Sequence, residues 1–324
     1  MNVILKGLIT AALALGSALA SAGPAETFPQ RPVTIVVPFT PGGAVDIVAR
    51  AVAAGLGEKW SQSVVVENKP GGGGAIGIQY VTRAKADGYT LLLGSVGPVT
   101  VNPSLGPVGY DVAKDLAPIV LLAKTPAVLV TLPSTPVHDG AQFVKWAKSK
   151  PSGLNYGSAG TGNITHLVSE YFLSSAGLTA NHIPYKGSAP AITDMLGGRL
   201  DFMFDVVPTA QPLIKSGKYR ALAVTTIKRS DVLPDVPTLD ELGYKGFDVS
   251  SWFSLMAPAG TPANVIAQIN AAVNDVLRSN AARERLSAIG AYSAGGTPEQ
   301  LGQFVASETQ RWSKLIEDRG IHAN

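Results

Sequence analysis

The chain has no cysteine among its 324 residues. That absence excludes disulfides, thiolate zinc sites, iron–sulfur clusters, a cysteine nucleophile and a lipidated N-terminal cysteine. Charge is scarce as well. Charged residues make up 15% of the chain, against about 25% in an average soluble protein. Lys and Arg number 26, Asp and Glu 23, and the net charge is +3 without any basic stripe or tract. Binding to nucleic acid through phosphate neutralisation is therefore not expected. The four histidines (His138, His166, His182 and His322) stand singly, without metal-ligand spacing, so neither a metal nor a cofactor is expected. After the N-terminus no apolar run reaches the length of a membrane span.

What is abundant is apolar surface, glycine and proline. Hydrophobic residues form 46% of the chain, enough for a sizeable core. The length suits one large or two medium domains. Gly (35) and Pro (23) are in excess, about 18% together against roughly 12% on average. Residues 1–22 read as an export signal. Lys6 supplies a positive start, Gly7 to Leu19 an apolar stretch, and Ala18-Leu-Ala20 or Ala20-Ser-Ala22 the small-x-small cleavage pattern. Cleavage is expected near Ala20 or Ala22, and in a Gram-negative cell the destination is the periplasm.

Strand and helix patterns then alternate, which predicts an α/β fold with parallel or mixed sheets flanked by helices. Val33–Val37, Ser63–Glu67 and Tyr89–Gly94 read as strands, with helices over 42–57 and 76–84. Two further strands are predicted at Ile119–Ala123 and Ala127–Leu132, and a helix over 139–149. The pattern restarts at Leu154 with strands at 154–157, 182–185, 202–205 and 221–224 and helices over 163–175, 189–196 and 209–216. Strand character returns over 247–256. Two helices close the chain, one capped by Thr261 before Pro262, the other by Thr297 with Gln300 completing a capping box. Two lobes with more than one crossover are expected, the first over 27–125 plus 246–324 and the second over 126–245. A cleft between lobes is a common seat for a small ligand.

Three loops are placed to carry chemistry. Phe39-Thr-Pro-Gly-Gly43 joins a strand to a helix, with Asp46 just inside that helix. Its glycines allow close backbone approach, and the helix start offers free amides to a carboxylate. The same glycines also suit a plain tight turn. Gly72, Gly74 and Gly77 formally satisfy a dinucleotide fingerprint, but Asp87 precedes the next strand instead of ending it. A cleft-lining loop is the better reading. In Tyr156–Asn163, the hydroxyls of Ser158 and Thr161, the amide of Asn163 and the backbone of Gly160 and Gly162 offer donors to a carboxylate without catalysing anything. His166 lies one turn on, either touching the ligand or standing behind the loop. Asp205 ends the run Phe202-Met-Phe204 and either faces the cleft or caps the next helix. Ser158, His166 and Asp205 could be drawn as a triad. No G-x-S-x-G elbow exists, and the chain order is unlike those of known triads.

Several motifs occur in order along the chain. They are Pro38-Phe-Thr-Pro-Gly-Gly-Ala-Val-Asp46, Glu67-Asn-Lys-Pro-Gly-Gly-Gly-Gly74, Ala86-Asp-Gly-Tyr-Thr-Leu-Leu-Leu-Gly-Ser95, Asn102-Pro-Ser-Leu105, Tyr156-Gly-Ser-Ala-Gly-Thr-Gly162, Pro184-Tyr-Lys-Gly187 and Ala257-Pro-Ala-Gly-Thr-Pro262. Each is weak alone. Together they span the whole exported chain, which resembles the Bug family, the periplasmic solute-binding proteins of tripartite tricarboxylate transporters. The resemblance implies a two-lobed Venus-flytrap fold and a monomer that takes a small carboxylate and delivers it to membrane permease subunits. It implies ligand contacts from Phe39, Thr40, Pro41, Gly42 and Gly43 on one side, next to which Asp46 and Ser95 are further candidates. From the other side it implies Ser158, Gly160, Thr161, Gly162 and Asn163, and Asp205 sits where the family often carries an Asp; His166 is a further candidate. One departure stands out: a histidine that many members carry shortly before Asn-Pro-Ser-Leu is missing from Val99-Thr-Val-Asn102. The alternative from another class is an exported serine hydrolase using Ser158 and His166.

Overall fold

The computed structural model describes residues 28–150 and 153–319. The export signal over 1–22 and His322 lie outside the described residues. In chain order the first elements are β1 (Val33–Val37), α1 (Ala44–Trp60), β2 (Val64–Asn68), α2 (Ala75–Thr82) and β3 (Thr90–Ser95). A π-helical turn (Gly97–Val101) leads to the short helices α3 (Asn102–Leu105) and α4 (Val112–Asp115), then the long strand β4 (Leu116–Thr131). Next come α5 (Gly140–Lys148), β5 (Asn155–Ser158), α6 (Ile164–Ala176), β6 (Asn181–Pro184), α7 (Ser188–Leu196), β7 (Phe202–Val206), α8 (Val207–Lys215) and β8 (Arg220–Val224). The chain closes with β9 (Ser250–Pro258), α9 (Ala263–Arg278), α10 (Asn280–Ala288), β10 (Tyr292–Ser293) and α11 (Pro298–Arg319).

The strand order is β2-β1-β3-β9-β4-β7-β5-β6, with β8 and β10 also on β4. β1 is a β-branched run buried on both faces because β2 and β3 flank it in parallel and helices cover it. α1 turns Val45, Val48, Val52 and Leu56 onto that sheet. β5, β6 and β7 form the second parallel set. Two lobes result, joined by antiparallel β4 and β9.

β4 serves both lobes. Its residues Leu116–Pro126 pair with β9, whereas Ala127–Val130 pair with β7 and Val128–Thr131 with β8. The two strands predicted at 119–123 and 127–132 are thus one. Pro126 sits where β4 changes partners, so its missing donor breaks no central ladder. Buried threonines pin this crossing: Thr225 Oγ1 donates to the Val249 carbonyl at 2.7 Å and accepts from Ala127 N–H at 3.0 Å.

The main core runs through both lobes, and a second cluster around Met195, Met203 and Tyr219 covers the other face of the second sheet. At the C-terminus three helices, not two, follow β9. The extra one, α10, is capped by Ser279 Oγ on Ala282 N–H. The Thr297–Gln300 capping box is formed, with both reciprocal bonds present. The Thr261 hydroxyl instead donates to the Pro258 carbonyl at 2.8 Å, and α9 starts one residue later than expected. α11 brings a buried Glu308 whose Oε2 accepts from the indoles of Trp252 and Trp312 at 3.0 and 3.3 Å.

Candidate functional site

The strand-to-helix connections of both lobes open onto one small cavity of about 20 Å³, room for about one water. Its wall follows the C-terminal ends of the strands. It takes Gly43, Ala44 and Val45 after β1, Ser95, Val96 and Gly97 after β3, and Asn163, Ile164 and Thr165 after β5. Ser188 after β6 and Val206 at the end of β7 complete that side. The crevice beyond the carboxyl ends of parallel strands is where α/β folds place ligands. The starts of α1, α6, α7 and α8 therefore converge on it. Those of α1, α7 and α8 have no side-chain cap; Pro190 and Pro208 carry no N–H, so an anion there meets the remaining first-turn amides and the helix dipoles. No residue of this wall has an ionisable side chain. The Ser95 hydroxyl is buried there without a partner.

Beside it, sharing Phe39 and Ala159, lies an outer chamber of about 460 Å³. Gly71–Gly74, Asn102, Leu105, Gly160, Thr161, Tyr185 and Lys186 are among its walls. The lobes touch along a seam between these spaces. Thr40 N–H donates to the Lys186 carbonyl at 3.4 Å. A Cβ built on Gly97 would fall 2.6 Å from the Gly162 carbonyl oxygen, and one on Gly73 2.7 Å from the Thr161 carbonyl oxygen. Backbone meets backbone at these two glycines.

The first loop is held from behind. Asp46 is buried and saturated: its carboxylate accepts from Gly42 N–H, from Arg50 Nε and Nη2, and from Asn68 Nδ2 at 2.9–3.0 Å. Asn68 Nδ2 also donates to the Phe39 carbonyl. Burial pushes the Asp46 carboxyl up, but the bonds from Arg50, Gly42 and Asn68 outweigh it and hold its pKa below the usual range. Asp46 thus shapes the loop and does not line either cavity. Phe39 and Gly43 line the inner one, Thr40 stands in the seam, and Pro41 and Gly42 are exposed.

The second loop differs from its sequence reading in one respect: most of its donors are already taken. Ala159 N–H donates to Thr165 Oγ1, Gly160 N–H to Ser158 Oγ, Gly162 N–H to His166 Nδ1, and Asn163 N–H to the Gly160 carbonyl. Asn163 lines the inner cavity while its Oδ1 accepts from Thr165 N–H as an N-cap. Gly160 and Thr161 face the outer chamber, and Gly162 sits in the seam. Ser158 is buried, with Oγ 2.6 Å from His182 Nε2. His166 stacks on His182 with centroids 4.1 Å apart. Burial lowers His166 to about 3, helped by the neighbouring His182, and burial lowers His182 to about 4. Both rings are neutral at pH 7 and support the loop from the side away from the cavities.

Asp205 is fully buried on the sheet face of Met203, opposite to Val206, because side chains alternate along β7. Its Oδ1 accepts from Val206 N–H at 2.9 Å and Thr209 Oγ1 at 2.5 Å, whereas Oδ2 has no partner. Burial pushes its pKa up to about 7, against the lowering pull of those bonds. Ser158, His166 and Asp205 form no triad: the serine meets His182, and His166 meets a backbone amide. Sequence reasoning missed Ser188, Ser251 and Phe253 of the inner wall and Lys186 of the outer. Ser188 and Lys186 adjoin or belong to the Pro184–Gly187 motif, a signal that was in plain view. Ser251 and Phe253 sit in a strand with no local mark of a site.

Comparison with known proteins gives the family. A family profile described as tripartite tricarboxylate transporter family receptor matches residues 48–321. BugT of Bordetella pertussis is 40% identical over 298 residues, 91% of each chain. The R. palustris protein Rpa4515, solved with adipate, superposes with a TM-score of 0.89 at 38% identity, covering 91% of this chain and 99% of its own. MatC from Rhodopseudomonas palustris, solved with bound malate, gives 0.85 at 34% identity, covering 89% and 100%. The chain belongs to the Bug family, the solute-binding receptors of tripartite tricarboxylate transporters.

Proposed function

We propose that this protein captures a small organic carboxylate between its lobes in the periplasm and delivers it to the permease subunits of a tripartite tricarboxylate transporter. The observation that carries the reading is the convergence of four helix starts on a cavity with no ionisable side chain. Such a wall attracts a carboxylate by amides and dipoles instead of by Lys or Arg. The ligands in the Rpa4515 and MatC structures, adipate and malate, point the same way. The lobes divide near 125 and 245, where β4 and β9 pass between them. Residues 1–22 act as the export signal, and the receptor works as a monomer without catalysis. Within the site, Phe39, Gly43, Ser95 and Asn163 face the ligand from the inner cavity. Gly160 and Thr161 approach from the outer chamber. Thr40 and Gly162 close the seam. Asp46, Ser158, His166 and Asp205 hold the loops in place.

Thermal-shift titration with a panel of carboxylates tests this. A true ligand raises the melting temperature, by mass action on the native state, and is recovered unchanged. Ser158→Ala is expected to destabilise the fold by about 1–3 kcal/mol, since it strands His182 Nε2 and Gly160 N–H, while binding persists. Turnover of an ester that vanishes in Ser158→Ala would instead make the protein a hydrolase.

A further inference from the structure

We infer that Arg311 of α11 sets how readily the lobes close, acting at the hinge while lining neither cavity. One face of α11 carries Phe304, Glu308 and Arg311, spaced four and three residues apart. All three lie along the crossing strands. The Phe304 ring meets Trp252 of β9 edge-on with centroids 5.4 Å apart, and Lys124 of β4 sets its Nζ 4.4 Å from the Phe304 centroid. The buried Glu308 accepts from the Trp252 indole at 3.0 Å. These contacts fix both strands on the first-lobe side. Arg311 reaches further. Its Nη2 donates to the Asp248 carbonyl, while Nη1 stays with Glu308 Oε1 at 3.4 Å.

Asp248 is tied mechanically to the other lobe. Phe247 stacks on Tyr171 of α6 with centroids 4.4 Å apart, Asp248 Oδ1 accepts from Ile227 N–H at 3.4 Å, and Val249 N–H donates to the Thr225 carbonyl at 2.8 Å. Arg311 therefore spans the hinge from a first-lobe helix to a second-lobe backbone. Between its anchor at Asp248 and the clamp on Trp252 lie Val249, Ser250 and Ser251. Thr125 and Pro126 of β4 run opposite Ser251 and Ser250, and Pro126 has no N–H to lend its rung. Bending is thereby confined to two short facing stretches. Parting the lobes draws Asp248 away from α11. The Arg311 bond, strengthened by its charge, belongs to the closed state, and losing it disfavours closure.

Arg311→Gln tests this, because half of the Arg311 side chain is exposed (51%) and the fold does not depend on it. Two measurements are made on the purified protein. The first rests on the carboxylate reading above: calorimetric titration with adipate and with malate. Both acids are expected to weaken by the same ~5–10-fold, through faster dissociation. Arg311→Lys, which keeps the charge and a donor, is expected to stay within about threefold of wild type. Equal weakening marks an effect on closure, whereas a ligand contact would discriminate between the acids. The second needs no ligand. Hydrogen exchange at the Val249 amide is expected to be at least ~10-fold faster in Arg311→Gln, with the amides of β1 unchanged. Unchanged affinity, unequal losses, or unchanged exchange at Val249 would each overturn the inference and leave the carboxylate reading standing. Failure of wild type to bind either acid would count against that reading, and the exchange result alone would then decide the role of Arg311.

Discussion

At the scale of single residues, Ser95 is the side chain with a bond to spare. Ser95 Oγ is a buried donor with no protein partner, so it has a bond to give a ligand. Ser95→Ala is expected to weaken carboxylate binding by about 10-fold and to leave stability level or slightly raised, because it removes an unpaired polar group. Unchanged affinity by calorimetry would refute that role. Asp205 allows a separate check. Its pKa is raised to about 7 by burial, against an ordinary value near 4. The folded chain then holds a proton between about pH 4 and 7 that the unfolded chain releases. The resulting stabilisation is full below pH 4 and lost as pH rises through 7. The His166–His182 pair runs the other way, since its lowered pKa values favour the native state above about pH 6.5 and penalise it as pH falls. Asp205→Asn keeps the Oδ1 acceptor and removes the titration. Urea unfolding is expected to show the variant gaining about 2–4 kcal/mol on wild type between pH 5 and pH 8; a constant difference would refute the assignment. Residue by residue, glycine and proline made the loops legible. The Ser158–His182 contact was not, because it arises from the parallel β5–β6 register, which aligns Tyr156 with His182 and which no local pattern encodes.

At the scale of elements the seam is the informative feature. Gly97 opens the π-helical turn after β3 and lies against the second-lobe loop. An added Cβ would come within 2.6 Å of the Gly162 carbonyl oxygen and 2.8 Å of Asn163 Cα. Both are backbone atoms, and neither can step aside. Gly97→Ala is expected to leave each lobe folded and to disfavour their closure, lowering ligand affinity at least ~10-fold. Small-angle scattering should then show no ligand-induced compaction; compaction equal to wild type would remove the seam from the account. The alternation of strand and helix that yields these lobes was readable from apolar periodicity. The single strand β4 was not. A Pro at position 126 normally ends a strand, and only the pairing of β9 on one side and β7 and β8 on the other carries the chain straight through it.

For the whole molecule, the lack of cysteine becomes an advantage. A Cβ on Gly43 would lie 3.9 Å from Ser188 Cβ across the seam, within the roughly 3.5–4.5 Å of a disulfide. Gly43 has an ordinary φ of −80° that accepts a side chain. The pair Gly43→Cys and Ser188→Cys is expected to crosslink readily, faster with ligand present, and the oxidised form to exchange ligand only after reduction. Exchange at an unchanged rate in the oxidised form would show that ligand passes without the lobes parting. The inner cavity, with room for about one water, gives this a temporal meaning. With so little space left between the touching lobes, a solute gripped across them leaves when the backbone seam from Thr40 to Gly187 comes apart. Residence time then follows the frequency of hinge opening, and a partner that pries the lobes open sets the clock for delivery, whatever the strength of the contacts inside.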